Sequence, residues 1–413
     1  YVDGVRCGIS PIQGWLAGQR GVFKLMMKKP VIVDAVRTPM GKSKNGIYRD
    51  VRAETLGATV VNALLTRNKI DPTHVEEVIF GCANQQKEQG FNIARFVTLQ
   101  SHLPAECTAK TINFLCGSSL EAINDAARQI MIGEGVCYIA AGVEHMGHIP
   151  MDLNYDENPE YCLNSSRASQ IMGYTAEYVA LAGDISREDQ DAFSERSHKR
   201  ASQADFSSEI VSTPSHLTSA SGSYALSNVD EPIRPSTTSK TLSRLPPVFN
   251  KDGGTVTAGN SSSIADGAAA LLIMEEGFAL DLGFGKERLV EVKSFARAGV
   301  SPSVMGYGPV PAVEKVLLKE SMSLDDVDLI ELNEAFAAQS LACLDGLDVG
   351  RIEQYEDKVN IKGGAIALGH PLGCSGARIS TTLYHQIIEN DKETGIATMC
   401  VGLGQGIATL FTR

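Results

Sequence analysis

The sequence lacks a paired cysteine motif, a long apolar run and an excess of positive charge. Its nine cysteines include no C-x-x-C pair, so neither a zinc ribbon nor a thioredoxin-type site is indicated. No apolar run approaches the roughly 20 residues that span a bilayer, so no transmembrane segment is predicted. The net charge of −12 argues against a general nucleic-acid binder, because such proteins are usually basic.

The length and composition instead suit a large globular protein. The chain has 413 residues, of which 43% are apolar, and this predicts two or three packed units with a substantial core. An odd number of cysteines in so long a chain fits a reduced, cytoplasmic setting better than a disulfide framework. Residues 1–26 lack the apolar segment of a secretory signal. We expect them to be a leader or extension outside the fold, an upstream extension being favoured over a targeting peptide.

Strand-like and helical patterns alternate along the chain, which predicts an α/β fold. The predicted strands cover residues 30–36, 75–80, 136–141, 268–274, 289–294, 327–332, 359–361, 396–401 and 406–411, and the clearest helices cover 53–65, 118–133 and 311–320. The order of strand, Gly- or Cys-bearing turn, helix and strand occurs twice. We therefore infer an internal duplication of about 120–140 residues, although two unrelated α/β halves would share part of this likeness.

The regular pattern is interrupted between residues 147 and 256. Ser186 and Asp189 have the form of a capping box at the start of a helix that reaches about Gln203. Residues 207–247 are rich in Ser, Thr and Pro, which indicates a long insertion lying over the core. The predicted organisation is one half formed by 27–146 and 257–285, a loop domain at 147–256, and a second half at 286–413.

Cys116 lies where a predicted strand turns into a predicted helix. The N-terminal end of a helix carries partial positive charge and unpaired N–H groups, and both favour a thiolate nucleophile. A buried core cysteine is the competing interpretation.

The most unusual stretch is GGAIALGHPLGCSG at residues 363–376. Its glycines indicate close backbone approach, and His370 is held extended by the proline that follows it. Because this stretch precedes the helix that corresponds to the one after Cys116, the duplication can bring His370 and Cys116 together. The alternative is a surface histidine in a flexible loop.

Three further residues are candidates for chemistry. Cys400 opens the stretch CVGLGQG at 400–406, whose glycine N–H groups are suited to an oxyanion hole, although a structural hairpin is an equally good account. Asn333 ends a predicted strand, where it would bind a water or an oxyanion, or cap a helix. Cys374 lies four residues after His370 and is ranked below Cys400. One Cys nucleophile, one His base, a second Cys and oxyanion donors are the groups needed for acyl transfer through a thioester.

Four motifs in this order resemble the thiolase family over residues 28–413. They are LCGSS at 115–119, NEAFA at 333–337, the glycine-rich stretch 363–376, and CVGLGQG at 400–406. Finer matches at 90–95, 142–151 and 305–311 resemble the bacterial 3-ketoacyl-CoA thiolases that form the beta subunit of the fatty-acid oxidation complex. The resemblance implies a duplicated thiolase fold with α-β-α-β-α layers and a loop domain inserted in the first half.

The resemblance also implies residue roles. Cys116 attacks the 3-keto carbon and carries the acyl group, and His370 takes its proton and helps to stabilise the substrate thioester oxygen. Cys400 protonates the acetyl-CoA enolate. Asn333 holds a water in one oxyanion hole, and the N–H groups of Cys116 and Gly402 form the other.

The coenzyme A loop of the family resembles TAGNSSSIADG at residues 257–267, where Ser262 matches the contacting serine. Ser263 replaces the usual small residue after it, and Phe114 stands where a basic residue is common in close relatives. Met146 and Met151 fall in the loop expected near the acyl chain, where they would adapt to different chain lengths or simply fill the core.

The implied reaction is cleavage of 3-oxoacyl-CoA by CoA to acetyl-CoA and a shortened acyl-CoA, the last step of fatty-acid β-oxidation. CoA is then a substrate, with no permanently bound cofactor and no metal. The alternatives are a biosynthetic acetoacetyl-CoA thiolase and a non-catalytic acyl-CoA-binding subunit, and the intact Cys116, His370 and Cys400 argue against the second. The resemblance further implies a cytoplasmic homodimer, joined in a heterotetramer to a multifunctional alpha subunit with hydratase and dehydrogenase activities.

Overall fold

The computed structural model describes residues 27–164, 166–218, 222–348 and 357–413. The predicted leader at 1–26 lies outside these residues. The strands are β1 (Pro30–Arg37), β2 (Gly41–Lys42), β3 (Glu77–Gly81), β4 (Thr108–Ile112), β5 (Cys137–His145), β6 (Thr213–Leu217), β7 (Tyr224–Ser227), β8 (Ala265–Glu275), β9 (Val290–Gly299), β10 (Leu329–Leu332), β11 (Thr394–Val401) and β12 (Gln405–Thr412). The α-helices are α1 (Ala53–Asn68), α2 (Ile93–Gln100), α3 (Ser118–Ile132), α4 (Pro159–Asn164), α5 (Met172–Ala182), α6 (Arg187–Gln203), α7 (Ser239–Leu242), α8 (Glu276–Asp281), α9 (Pro309–Glu320), α10 (Ala337–Gly346), α11 (Ala365–Leu368) and α12 (Ser375–Glu389).

One sheet contains all the long strands, in the order β10-β11-β12-β9-β1-β8-β5-β3-β4, with β2 paired to β8. Its two halves meet where β1 pairs with β9 through only two residue pairs. In the first half, β3 pairs with β5 in parallel, and β5 pairs with β8 in antiparallel orientation. In the second half, β10 pairs with β11 in parallel, and β11 pairs with β12 in antiparallel orientation. The elements follow one another in the order β1-α1-β3-α3-β5-β8 in the first half and β9-α9-β10-α12-β11-β12 in the second. This repeated order is the arrangement that the inferred duplication predicts.

The two helices that follow the repeated turns, α3 and α12, lie between the halves of the sheet. Both share one apolar cluster with strands from each half, including Ile32 of β1 and Met399 of β11. Their approach is close, since a Cβ at Gly376 would lie 2.3 Å from the backbone nitrogen of Leu120. A second apolar cluster packs α1 and α2 outside the first half, and a third packs α9 and α10 outside the second. The predicted α-β-α-β-α layering is therefore present.

The segment between β5 and β8, which was predicted as a long insertion over the core, contains regular helices and strands. Helix α6 begins with the predicted capping box, in which Ser186 and Asp189 each bond the other's backbone N–H. Phe193 of this helix is buried in the outer cluster with Val310 and Leu341. The segment thus supplies part of an outer layer as well as the two-stranded ribbon of β6 and β7.

The strand predicted at 359–361 is wrong. Only Val359 pairs with the sheet, through one parallel bridge to Ile330. Asn360 and Gly363 have φ values of 47° and 80°, so the chain turns out of the sheet after Val359. Among the described residues, no helix is long and apolar enough to cross a membrane.

Candidate active site

Cys116 lies in the turn between β4 and α3, directly before Gly117 at the helix N-cap. Leu115, which precedes it, has a left-handed backbone with φ of 47°, and such a residue costs roughly 1–3 kcal/mol. Ser118 Oγ holds the turn closed, because it accepts from the Phe114 N–H at 2.9 Å and donates to the Leu115 carbonyl at 2.5 Å. The strained turn places the sulfur at the start of α3.

The backbone N–H groups of Gly402 and of Cys116 itself lie near the Cys116 sulfur, where both act to lower the pKa of the thiol. Gly402 begins the turn between β11 and β12, and Leu403 and Gly404 follow it with φ values of 63° and 85°. A Cβ at residue 402 would lie 3.0 Å from Leu115 Cδ1, so a glycine lets this backbone approach. Paired N–H groups at one position are the donor set that stabilises an oxyanion.

Burial controls the protonation of Cys116. It raises the pKa of the thiol to about 11, although the N–H groups of Gly402 and Cys116 act in the opposite direction. The N–H groups favour a thiolate, as expected of a helix end, but desolvation of the 3% exposed residue outweighs their effect. The resting sulfur is therefore a thiol, and a nucleophilic role would require a base.

Side chains hold both nitrogens of the His370 ring. Ser375 Oγ lies 2.5 Å from His370 Nδ1 and 2.9 Å from the Pro371 carbonyl. The other ring nitrogen, Nε2, lies 3.4 Å from the Asn333 side-chain amide nitrogen.

The His370 ring is also kept neutral. Burial, together with the positive charge of Arg378, lowers its pKa to about 3. Its backbone N–H donates to the Ser263 carbonyl at 2.9 Å, so the ring is held by main chain as well as by side chains. The imidazole is therefore neutral at physiological pH. The alternative of a surface histidine is wrong, because His370 is 6% exposed.

Asn333 directly follows β10, and its backbone N–H donates to the Thr398 carbonyl at 3.0 Å. The helix-cap alternative is wrong, since α10 starts at Ala337 with Phe336 at its N-cap. Asn333 Oδ1 is buried and has no hydrogen-bond partner within the described chain. Such an atom is suited to a water or a substrate oxygen.

Cys400 lies in β11 opposite Gly406 of β12. These two strands form the structural hairpin that was the alternative interpretation of this stretch. Its side chain is fully buried beside Met305 and Ala335. Burial raises the pKa of Cys400 well above its usual value, and negative charge on Cys116 raises it further. Cys400 therefore rests as a thiol whose titration is coupled to that of Cys116.

Cys374 is placed differently from Cys400. It is fully buried in the central apolar cluster at the start of α12, and burial raises its pKa to about 12. It packs the helix against the core.

The predicted coenzyme A loop is attached to the same site. The Ser262 backbone N–H donates to the Ala335 carbonyl at 3.0 Å, and the next residue, Ser263, supplies the carbonyl that holds His370. Of the two methionines predicted near the acyl chain, Met146 fills the core at 4% exposure and Met151 is 42% exposed. Within the described ranges, no group of three or more His, Cys, Asp or Glu side chains is arranged to hold a metal.

Sequence reasoning missed the residues that support these groups. The buried Glu334 carboxylate accepts from Ser197 Oγ at 2.6 Å, Asn360 Nδ2 at 2.9 Å and the Ile366 N–H at 3.2 Å, and so holds the chain that leads to His370. Ser375 was visible only as part of a motif. A serine five residues after a histidine was the available signal for its role.

The structure thus brings the predicted residues together in two groups. The Asn333 side-chain nitrogen lies 3.4 Å from His370 Nε2, and the Gly402 N–H acts on the thiol of Cys116, whose charge in turn acts on Cys400. No hydrogen bond links Cys116 to His370 within the part of the chain that is described. In enzymes without substrate, such a contact commonly tightens only in the complex.

The chain is similar to known proteins over most of its length. The chain matches the family models for the thiolase N-terminal domain over residues 30–277 and the thiolase C-terminal domain over 286–413. It is 51% identical over 391 residues to a 3-ketoacyl-CoA thiolase of Pseudoalteromonas atlantica, covering 94% of this chain and 100% of that one. It is 52% identical over 392 residues to a 3-ketoacyl-CoA thiolase of a Shewanella species (strain ANA-3), again covering 94% and 100%.

Two solved structures are also similar. The human mitochondrial 3-ketoacyl-CoA thiolase matches with a TM-score of 0.83 and 35% identity, covering 94% of this chain and 100% of that one. The acetyl-CoA acetyltransferase of Bacillus anthracis matches with a TM-score of 0.84 and 36% identity, covering 94% and 99%.

Proposed function

Because the chain belongs to the thiolase family, we propose that it cleaves 3-oxoacyl-CoA with CoA, giving acetyl-CoA and an acyl-CoA two carbons shorter. This is the last step of fatty-acid β-oxidation, an acetyl-CoA C-acyltransferase reaction. One observation carries the proposal: the backbone of Gly402 approaches the Cys116 turn, and its N–H and that of Cys116 both act on the Cys116 thiol, where an acyl-thioester would form.

In the first half-reaction, His370 Nε2 takes the Cys116 proton and the thiolate attacks the 3-keto carbon. The developing oxyanion is stabilised by the N–H groups of Cys116 and Gly402. The bond between C2 and C3 then breaks, and the electron pair passes to the acetyl-CoA enolate, whose thioester oxygen faces His370 and a water held by Asn333. Cys400 donates its proton to C2, so that acetyl-CoA leaves and the acyl group remains on Cys116.

In the second half-reaction, the Cys400 thiolate takes the proton of an incoming CoA thiol. The CoA thiolate attacks the acyl-thioester through the same N–H pair, with Ser262 in the loop that contacts CoA. The Cys116 thiolate leaves and recovers its proton from the His370 imidazolium. Both cysteines and the histidine thus return to their resting, neutral states.

A biosynthetic acetoacetyl-CoA thiolase remains the second candidate, and the similarity to an acetyl-CoA acetyltransferase structure favours it. The sequence identity to that structure is 36%, which is lower than the 51–52% identity to the relatives named 3-ketoacyl-CoA thiolase. Turnover with acetoacetyl-CoA and 3-oxohexadecanoyl-CoA separates the two. We expect cleavage of the long substrate, and activity confined to the four-carbon substrate would contradict the degradative assignment.

The acyl-enzyme is tested by mass spectrometry of the Cys116 peptide after mixing with 3-oxoacyl-CoA in the absence of CoA. The adduct should form on Cys116 in the wild type and disappear in Cys116→Ala. Cys374→Ala is the matched control, because it removes a buried thiol that has no role in this mechanism. Full turnover by Cys116→Ala would exclude the mechanism, and the absence of any adduct would favour a non-catalytic acyl-CoA-binding subunit.

We also infer a cytoplasmic homodimer that joins a multifunctional alpha subunit carrying hydratase and dehydrogenase activities. Strand β4 is the last strand at one edge of the sheet, and such an edge supports pairing with a second copy. Size-exclusion chromatography with and without the alpha subunit tests both associations. A monomer in the first experiment or separate elution in the second would contradict the corresponding inference.

A further inference from the structure

Glu144, the penultimate residue of β5, has a fully buried carboxylate that accepts from four N–H groups. Its Oε2 accepts from the backbone N–H groups of Ala83 and Gly373, each at 2.8 Å. Its Oε1 accepts from the Asn84 N–H at 3.1 Å and from Gln89 Nε2 at 2.6 Å. Because each oxygen already has two donors, these contacts favour the ionised carboxylate, although burial raises its pKa.

Gly373 connects Glu144 to the His370 stretch, residues 363–376. It lies three residues after the histidine, in the short turn that leads into α12. A Cβ at residue 373 would lie 2.6 Å from Cys82 Cα and 2.7 Å from Glu144 Oε2, so this close approach requires a glycine. The hydrogen bond to Glu144 therefore fixes part of the second half of the chain on a strand of the first half.

Ala83 continues the connection to the turn that carries Cys116. Its carbonyl accepts from Asn113 Nδ2 at 2.9 Å, and Asn113 Oδ1 accepts from the Leu115 N–H, also at 2.9 Å. Leu115 directly precedes Cys116 in the sequence. Ala83 is thus joined at its N–H to the Glu144 carboxylate and at its carbonyl to the Cys116 turn.

We propose that Glu144 is a positioning residue, whose carboxylate fixes the Cys116 turn and the His370 stretch relative to each other. A misplacement of about 1 Å between reacting groups can cost about 100-fold in rate. A second link joins α3 to α12 beyond both turns, where Ser119 Oγ accepts from the Ala377 N–H at 2.8 Å. This inference rests on the proposed thiolase function, since it requires Cys116 and His370 to act in one proton transfer.

The test measures how fast 3-oxoacyl-CoA acylates Cys116 in the absence of CoA, by rapid quenching and mass spectrometry of the Cys116 peptide. Glu144→Gln keeps the size of the side chain, but its amide presents N–H groups to donors that need an acceptor. Glu209→Gln is the matched control, because Glu209 is an equally buried carboxylate that instead accepts from Arg37 and Thr382.

Glu144→Gln should acylate Cys116 about 10 to 100 times more slowly than the wild type, with little change in the half-saturating substrate concentration. The negative charge of Glu144 raises the pKa of Cys116, so removal of that charge alone would favour the thiolate. A slower rate therefore reports lost positioning. Glu209→Gln should acylate at the wild-type rate.

The dependence on His370 separates positioning from general stability. In a His370→Ala background, Glu144→Gln should slow acylation no further, because the group that it positions is already absent. A merely structural role predicts a similar additional loss in that background. Such an additional loss would overturn the proposal, and so would a folded Glu144→Gln variant with the wild-type rate.

If Glu144→Gln does not fold, Asn113→Ala decides, because it breaks the same path at an exposed side chain. This variant should acylate about tenfold more slowly, and a wild-type rate would contradict the role of the path. A wild-type protein that forms no adduct at Cys116 would overturn the proposed function together with this inference. Equal acylation of the wild type and the variants would overturn this inference alone.

Discussion

Ser375 Oγ lies 2.5 Å from Nδ1 of His370 and 2.9 Å from the Pro371 carbonyl. This contact fixes the orientation of the imidazole, because Ser375 is itself held in the first turn of α12. It leaves Nε2 facing the Asn333 side chain at 3.4 Å. The site therefore combines two resting thiols with a neutral base whose orientation is set by helix α12.

Replacing Ser375 with Ala should lower kcat about 10- to 100-fold with little change in KM, because the proposed base loses the hydrogen bond that orients its ring rather than a substrate contact. Loss of one hydrogen bond should reduce stability by only about 1 kcal/mol. Steady-state kinetics with 3-oxoacyl-CoA and thermal denaturation measure the two effects. Ser380→Ala is the control, since Ser380 Oγ bonds only the Gly376 carbonyl in the same buried helix. Wild-type kcat in Ser375→Ala would contradict the assigned role.

Acidification should destabilise the protein partly through His370. Its pKa is lowered from 6.5 to about 3 in the folded state, so the unfolded chain binds more protons between these values. Above pH 6.5 the ring is neutral in both states, and its contribution to the free energy of unfolding is complete. As the pH falls below 6.5 this contribution is lost, and the loss is about 3 kcal/mol at pH 4.5. His370→Gln should show a shallower loss of stability below pH 6 in urea denaturation. The exposed His102→Gln variant is the control, and equal slopes for His370→Gln and the wild type would exclude this account.

Gly402→Ala should lower kcat/KM about tenfold by displacing an oxyanion donor. The added Cβ meets Leu115 Cδ1 at 3.0 Å, and this contact is with the flexible end of a side chain. Leu115→Ala should therefore restore much of the activity when combined with Gly402→Ala, although not when tested alone. A double-mutant cycle of kcat/KM measures this coupling. Additive losses would show that the contact does not control the position of the N–H group.

Glu334→Gln should lower both stability and activity. The carboxylate accepts three hydrogen bonds, and an amide can accept at only one of its ends, so a loss of about 2 kcal/mol is expected. Because these bonds hold the chain before His370, kcat should fall together with the melting temperature. Calorimetry and turnover are compared with Glu314→Gln, an exposed change on α9. A stable variant with lost activity would instead indicate direct chemistry by Glu334.

Local sequence signals predicted much of the fold correctly. The apolar spacing of Leu120, Ile123 and Ile130 identified the buried face of α3, and all three are fully buried. The capping box of Ser186 marked the start of α6. These features depend on residues within one or two turns of each other, so a linear pattern is enough to show them. The strand predicted at 359–361 was wrong because the left-handed backbone of Asn360 leaves no pattern in side-chain hydrophobicity.

The sequence alone identified the chemical groups of the site: two cysteines, a histidine, an asparagine and glycine-rich turns in an order that resembles the thiolases. Only the tertiary structure decided how those groups are protonated. Burial keeps Cys116 as a thiol against the effect of its helix end, Ser375 orients the His370 ring, and burial together with the charge of Arg378 keeps that ring neutral. The reason is physical: desolvation and charge depend on what surrounds an atom in three dimensions, and that environment is assembled from both halves of the chain.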